Sequence, residues 1–149
     1  MLTITSDAFN DDQWIPRKFA REGQDVSPPL AWSAGPPGTV EYALICDDPD
    51  APRPEPWVHW VLFNIPATVT ALPEGGLPHT TAGMNSYGER GYGGPMPPRG
   101  HGIHHYHFRI YALKSTIKLP SGADNAALLN AMAGQILDQG TLTGLYERK

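Results

Sequence analysis

The sequence predicts a mainly β protein of mostly antiparallel strands with one clear helix, and three observations predict it. Residues 40–46 and 57–65 are apolar runs of strand length, residues 104–113 alternate with period two, and only the stretch from 120 to 140 carries a helical stripe. The 149 residues include 16 glycines and 16 prolines, which keep strands short and turns frequent.

Taken in order, residues 2–9 alternate weakly as a strand, and Ile15-Pro16 through Gly23 reads as a surface loop. Ser27-Pro28-Pro29-Leu30-Ala31-Trp32 is extended, because each proline fixes its own φ and pushes the preceding residue away from helix. Gly35-Pro36-Pro37-Gly38 is a turn, and the run from Val40 to Cys46 that follows it implies burial on both faces. In 57–65, simple alternation puts Trp57, His59, Val61, Phe63 and Ile65 on one face and Val58, Trp60 and Leu62 on the other. Since both faces are apolar, this strand is expected between layers.

Pro66, Pro73, Gly75, Gly76 and Pro78 then break regular structure, and Gly83–Gly94 is a glycine-rich loop with Tyr87 and Tyr92. In 104–113, His104, Tyr106, Phe108, Ile110 and Ala112 form the core face, opposite His105, His107, Arg109, Tyr111 and Leu113. Pro120-Ser121-Gly122-Ala123-Asp124 opens a helix with an S-x-x-D capping pattern, its stripe being Leu128, Leu129, Met132, Ile136 and Leu137 up to Gly140. Thr141–Tyr146 is expected as a last short strand.

A chain of this length suits one domain over residues 1–149, since a globule of about 150 residues buries roughly 70% of its unfolded surface. The formal net charge is −4, with 11 Lys and Arg scattered singly. That argues against nucleic acid and against an anionic membrane surface as partners, both of which reward a basic face. Cys46 is alone, so no intramolecular disulfide forms, and its apolar setting reads as a small core hydrophobe. No stretch has the length and hydropathy of a membrane span or a secretory leader, and a cytoplasmic location is the expectation.

Chemistry concentrates in two places. Asp47-Asp48-Pro49-Asp50-Ala51-Pro52 precedes Val58-His59-Trp60-Val61, and Gly94-Pro95-Met96-Pro97-Pro98-Arg99-Gly100-His101-Gly102-Ile103 precedes His104-His105-Tyr106. Each sets ionisable groups beside rigid proline turns at the end of an apolar strand, an arrangement that holds polar groups at the mouth of a pocket. His59, mid-strand among apolar residues, needs a partner, and Asp48 or Asp50 would supply one, leaving the second ring nitrogen to donate to an anion. Two acids within three residues repel an anion unless histidines or backbone N–H groups outweigh them, or the ligand carries its own cation; a phosphate with an ammonium group would satisfy both sets. The histidines at 101, 104, 105 and 107 alternate between faces and lack a zinc-type spacing, so no metal is expected. Hydrolase elbows, P-loops and dinucleotide fingerprints are missing as well, and no cofactor is expected.

Asp48-Pro49-Asp50-Ala51-Pro52, His59-Trp60, Gly94-Pro95 with Pro97-Pro98, and His104-His105-Tyr106 together resemble the phosphatidylethanolamine-binding protein family, in its prokaryotic Raf-kinase-inhibitor-like branch. Ser27-Pro28-Pro29-Leu30, Val61-Leu62-Phe63-Asn64-Ile65-Pro66, Tyr92-Gly93-Gly94-Pro95 and Leu145-Tyr146-Glu147-Arg148 extend the resemblance nearly end to end. It implies antiparallel strands in two sandwiched sheets with peripheral helices, and a small anion pocket. The pocket residues it implies are Asp48, Asp50, Pro52, His59, Gly94, Pro95, His104 and Tyr106. His105 stands where the family usually has Arg, and it is expected to face outward with little effect on the pocket.

The function these features predict is non-enzymatic binding of a phosphate-bearing small molecule or phosphorylated peptide, with no catalytic residue. Inhibition of a protein partner, a kinase or protease, through the loops at 66–94 follows from family analogy alone, as does a homodimer. The competing expectation is a lyase or hydrolase using Asp48 and His59 as an acid–base pair.

Overall fold

A computed structural model describes residues 1–149. Strands β1 (Ile4–Thr5), β3 (Leu30–Trp32) and β6 (Ala71–Leu72) form a three-stranded sheet in the order β1-β3-β6. The larger sheet contains β2 (Gln13–Trp14), β4 (Glu41–Asp48), β5 (Trp57–Pro66), β7 (Thr81–Ala82), β8 (His104–Leu113) and β9 (Ile136–Tyr146), in the order β2-β9-β8-β4-β5-β7. All pairings are antiparallel except β2 with β9, which is parallel. One α-helix, α1 (Asn125–Met132), and a 3-10 turn at Arg17–Phe19 complete the elements. A mainly β, two-sheet fold is therefore what the chain adopts.

The central strands separate two cores. Tyr42, Leu44, Cys46, Trp60, Leu62, Ile65, Tyr106, Phe108, Ile110 and Ala112 pack toward the small sheet, against Ile4, Leu30, Trp32 and Leu72. On the opposite side Ala43, Ile45, Val58, Val61, Phe63, Tyr111 and Leu113 pack against Ile117 and the helix residues Leu128 and Met132. Burial of both faces explains the uninterrupted apolar runs 42–46 and 60–63 within these strands. Truncating Met132, fully buried, would cost about 2–5 kcal/mol.

Simple alternation fails on β5, for a reason that matters to the site. Its register with β4 shifts twice: Cys46 faces Trp60 while Asp47 faces Val58, and Tyr42 faces Ile65 while Leu44 faces Leu62. β5 carries an extra residue at each shift, His59 in the first, and in the second the pair Phe63 and Asn64 opposite Ala43, with Asn64 at φ 56. Each bulge re-aims the side chains beside it. Hence Val58, Val61 and Phe63 reach the helix side while Trp60, Leu62 and Ile65 reach the other.

The helix is shorter than its sequence suggests. Asp124 is itself the cap, its carboxylate accepting from the Ala127 N–H at 2.9 Å, so the start lies three residues beyond the expected Ser121. Gly134 turns left-handed at φ 76, and Ile136 begins β9, five residues earlier than expected. Leu129, Ile136 and Leu137, expected in the buried stripe, are exposed. Near the start of the chain only Ile4–Thr5 of the expected 2–9 strand pairs, while 15–23 is no simple surface loop, for Ile15, Phe19 and Ala20 are core residues.

Candidate functional site

At the end of the large sheet where β4 finishes and β5 and β8 begin, a cavity of about 190 Å³ opens. Asp48, Ala51, Pro52, Trp57, His59, Tyr87, Met96, Pro97, Pro98, His104 and Tyr106 line it. β4 lies between β5 and β8, so a carboxylate at its end has a histidine strand on either side.

Asp48 turns to β8. Its Oδ2 accepts from His104 Nδ1 at 2.6 Å, and its Oδ1 accepts the Asp50 backbone N–H at 2.8 Å. Both side chains of the pair are buried, at 4% and 2% exposure. Burial pushes the Asp48 carboxyl above its ordinary value, opposed by the hydrogen bonds from His104 and Asp50. Nε2 of His104 shares a 2.6 Å hydrogen bond with Nδ1 of His101, extending the chain of titratable groups to the surface. His101 sits between Gly100 and Gly102, at φ 74 and 94, with its ring 4.8 Å from that of His104.

The expected pairing of His59 with Asp48 or Asp50 does not form. His59 instead bonds through Nδ1 to the Gly93 carbonyl at 2.7 Å, and its own carbonyl accepts the Gly93 N–H at 2.8 Å. Its position in the β5 bulge turns the ring toward Tyr106 and Tyr87, with ring centroids 5.0 and 5.8 Å away. Burial pulls its pKa down to about 4, opposed by the bond to the Gly93 carbonyl, so the ring is neutral at pH 7.

Tyr106 carries the clearest signal of an open valence. The residue is 1% exposed, lines the cavity, and its hydroxyl has no hydrogen-bond partner. Burial holds its pKa well above the usual phenol value, so it remains an O–H donor. Tyr87 closes the adjoining wall; its hydroxyl donates to the Gly94 carbonyl at 2.8 Å, and Arg21 stacks on its ring at 3.8 Å while pairing with Glu89 at 2.9 Å.

Of the eight residues expected at the site, Asp48, Pro52, His59, His104 and Tyr106 line the cavity, whereas Asp50, Gly94 and Pro95 stand behind it. The Asp50 carboxylate faces away, accepting the ring and backbone N–H of exposed His105 at 2.7 and 2.8 Å. Burial raises the Asp50 carboxyl, but the bonds from His105 win and hold it below its ordinary value. Gly94 donates its N–H to Asp25 at 2.7 Å, and a Cβ there would lie 2.2 Å from the Phe19 carbonyl. The carbonyl of buried Pro95 accepts the Arg21 N–H at 3.0 Å. These three residues brace the wall.

Sequence reasoning missed the aromatic walls Trp57 and Tyr87, the rim residue Met96, and His101. The flanking glycines of His101 were the available signal.

A sequence model described as phosphatidylethanolamine-binding protein matches residues 5–147. The chain belongs to the phosphatidylethanolamine-binding protein family. A UPF0098 protein of Pyrococcus horikoshii is 44% identical over 158 aligned positions, covering 100% of this chain and 78% of its own length. Among solved structures, YbcL of E. coli superposes with a TM-score of 0.94 at 34% identity, covering 99% of each chain. A phosphatidylethanolamine-binding protein homologue, CT736 of Chlamydia trachomatis, does so at 0.93 and 36%, covering 99% of this chain and 98% of its own. A carboxypeptidase Y inhibitor solved with its cognate proteinase shares the fold alone, at TM-score 0.54 and 17% identity over 99% of this chain and 83% of its own. The prokaryotic relatives place this chain among the bacterial and archaeal members of the family. No helix is long and apolar enough to cross a membrane.

Proposed function

We propose that this protein binds a small phosphate-bearing ligand in the cavity between β4, β5 and β8. The observation that carries the reading is the buried Tyr106 hydroxyl, a donor without a partner, on a residue that lines the cavity beside the Asp48–His104 pair and His59. A buried unsatisfied hydroxyl costs about 1–3 kcal/mol, and a ligand oxygen would remove that cost. His104, held through Nδ1 by Asp48, adds a second donor at Nε2 when its ring carries both protons and Nε2 exchanges His101 for the ligand. Trp57, Tyr87, Pro52, Pro97 and Pro98 supply apolar walls for whatever the phosphate is attached to.

Binding is favoured over turnover because no Ser, Thr, Cys or Lys lines the cavity, so no nucleophile of those types accompanies the histidines. The acid–base pair that an enzyme reading required, Asp48 with His59, is not formed: His59 is spent on Gly93 and Asp48 on His104. A protein partner is the second reading, supported by Met96 on the cavity rim and Ile103 just before His104, which are 43% and 46% exposed.

The test is a calorimetric titration with inorganic phosphate and O-phosphoethanolamine, repeated on a folded His104→Ala variant. Saturable binding that weakens at least about tenfold in the variant is expected. Equal affinity in the two proteins would remove His104 from the site, and the absence of any heat in the parent would end the small-ligand reading.

A further inference from the structure

We infer that the cavity selects a phosphoryl group that still carries a hydroxyl proton, and that His59 Nε2 is the atom that accepts it. The inference rests on the proposed phosphate-binding role and adds which phosphates the site takes: inorganic phosphate and monoprotonated phosphomonoesters, in preference to sulfate, phosphodiesters and fully ionised monoesters.

Two hydrogen bonds hold His59. Its Nδ1–H is committed to the Gly93 carbonyl at 2.7 Å, and a return bond from the Gly93 N–H to its carbonyl, at 2.8 Å, fixes the residue against that loop. His59 lines the cavity and its Nε2 makes no hydrogen bond, the nearby Gly94 carbonyl accepting the Tyr87 hydroxyl. No anion stabilises a second proton there, for both Asp48 oxygens are taken, by the Asp50 N–H and by His104. The other groups around the ring are Tyr106 and His104 on β8, and Tyr87 with Arg21 stacked behind it, the last already paired with Glu89 and Asp25. His104 and Arg21 both disfavour charge on His59, and with burial they keep the ring neutral. Nε2 therefore presents a lone pair.

Against that lone pair stands a donor. The Tyr106 hydroxyl is unpartnered, and its ring lies edge-on to His59 at 5.0 Å. The cavity thus sets one acceptor, on His59, beside a donor on the adjacent Tyr106 ring and the second donor that a doubly protonated His104 adds, and its complement is a tetrahedral oxyanion with one oxygen that donates and others that accept. A P–OH group meets that demand. Sulfate at neutral pH and phosphodiesters have only acceptors, and would point a lone pair at Nε2. A fully ionised monoester has the same defect until it takes a proton from solvent. No Lys or Arg lines the cavity to offset a second negative charge, which disfavours that ion further relative to the monoprotonated monoester.

Calorimetry on the intact protein tests this. Inorganic phosphate and sulfate at pH 7.5 are alike in size, and phosphate alone retains a hydroxyl; phosphate is expected to bind at least about tenfold tighter. Methyl phosphate, titrated at pH 8 in buffers of different ionisation enthalpy, is expected to bind with uptake of about one proton, its affinity falling about tenfold per pH unit above a second pKa near 6. Dimethyl phosphate, which has no P–OH, is expected to bind at least about tenfold more weakly than methyl phosphate at pH 6. In His59→Gln, whose amide can donate as well as accept, the phosphate-to-sulfate ratio is expected to shrink toward one and the proton uptake to vanish. Should that variant fail to fold, the comparisons on the parent protein decide alone. Sulfate binding as tightly as phosphate, or methyl phosphate binding without proton uptake, overturns the inference and leaves phosphate binding standing. Failure of phosphate to bind at any pH overturns both together.

Discussion

Strand β4 buries a carboxylate near each end, and the two have opposite roles. Glu41, 6% exposed, is closed off: its oxygens accept the Asn64 amide at 3.2 and 3.4 Å and the Ile117 N–H, and Asn64 is in turn held by the Thr81 hydroxyl at 2.8 Å. Every partner there is an amide or a hydroxyl. Asp48, 3% exposed, is held by a histidine whose far nitrogen reaches another histidine, beside a tyrosine hydroxyl that nothing satisfies. Burial of a charge therefore marks neither end as functional. The distinction lies in whether the surrounding valences are complete and whether the partner can itself titrate.

The sharpest way to break this contrast is to remove each carboxylate in turn. Glu41→Ala leaves the Ile117 N–H and one of the two Asn64 amide N–H groups without an acceptor, the other keeping the Ile117 carbonyl at 2.9 Å, and about 3 kcal/mol of stability should be lost, roughly 10 °C in a thermal melt, with phosphate affinity unchanged while the protein is folded. Asp48→Asn should instead lower phosphate affinity at least about tenfold. Equal loss of binding in both variants would erase the difference between the two ends.

A slightly smaller effect is expected from pH. The folded pKa of His59 lies near 4, against 6.5 ordinarily, so between those values the unfolded chain binds a proton that the native state refuses. The stability this histidine contributes is complete above about pH 6.5 and is lost as pH falls toward 4, amounting to about 2–3 kcal/mol by pH 4.5. Urea titrations at pH 7 and 4.5 should show the parent losing that much more than His59→Gln. Matching losses would mean that the ring is charged in the native state.

How much of this was legible in the sequence varies by element. β4, β5 and β8 were visible because burial on two faces, or an alternating face, leaves an apolar signature that local geometry cannot hide. The bulge at His59 was not, since an extra residue in one strand is set by pairing and leaves the apolar run unbroken. Alternation consequently put His59 with Val61 and Phe63, and proximity in the motif put it with Asp48. Ile136 and Leu137 continued a helical stripe, but Gly134 turns left-handed and hands them to β9. At the site, five of the eight pocket residues that the resemblance implied line the cavity. The aromatic walls come from loops and strand ends that only tertiary folding brings together.

Two smaller effects complete the series. Tyr106→Phe deletes a buried hydroxyl that has no partner, so stability should hold or rise by up to about 1 kcal/mol, while phosphate affinity falls about tenfold. A drop in stability would show that the hydroxyl is satisfied within the protein. His105→Ala removes a ring hydrogen bond to Asp50 that is nearly half exposed on both sides, and the change in stability should stay below about 0.5 kcal/mol, with phosphate affinity unaltered. A larger change in affinity would bring Asp50 into the pocket after all.

The parallel contact between β2 and β9 bears on how the polypeptide is made. Gln13 and Trp14 align with Gly144 and Leu145, and the Ile15 N–H bonds to the Leu145 carbonyl at 2.8 Å, so an early segment must wait for one of the last before its place in the sheet exists. Joining partners so distant along the chain is slow, on the order of milliseconds to seconds for topologies of this kind. While the nascent chain is still on the ribosome, Phe9 and Ile15 have no Gly144 to cover and stay exposed to solvent and to chaperones.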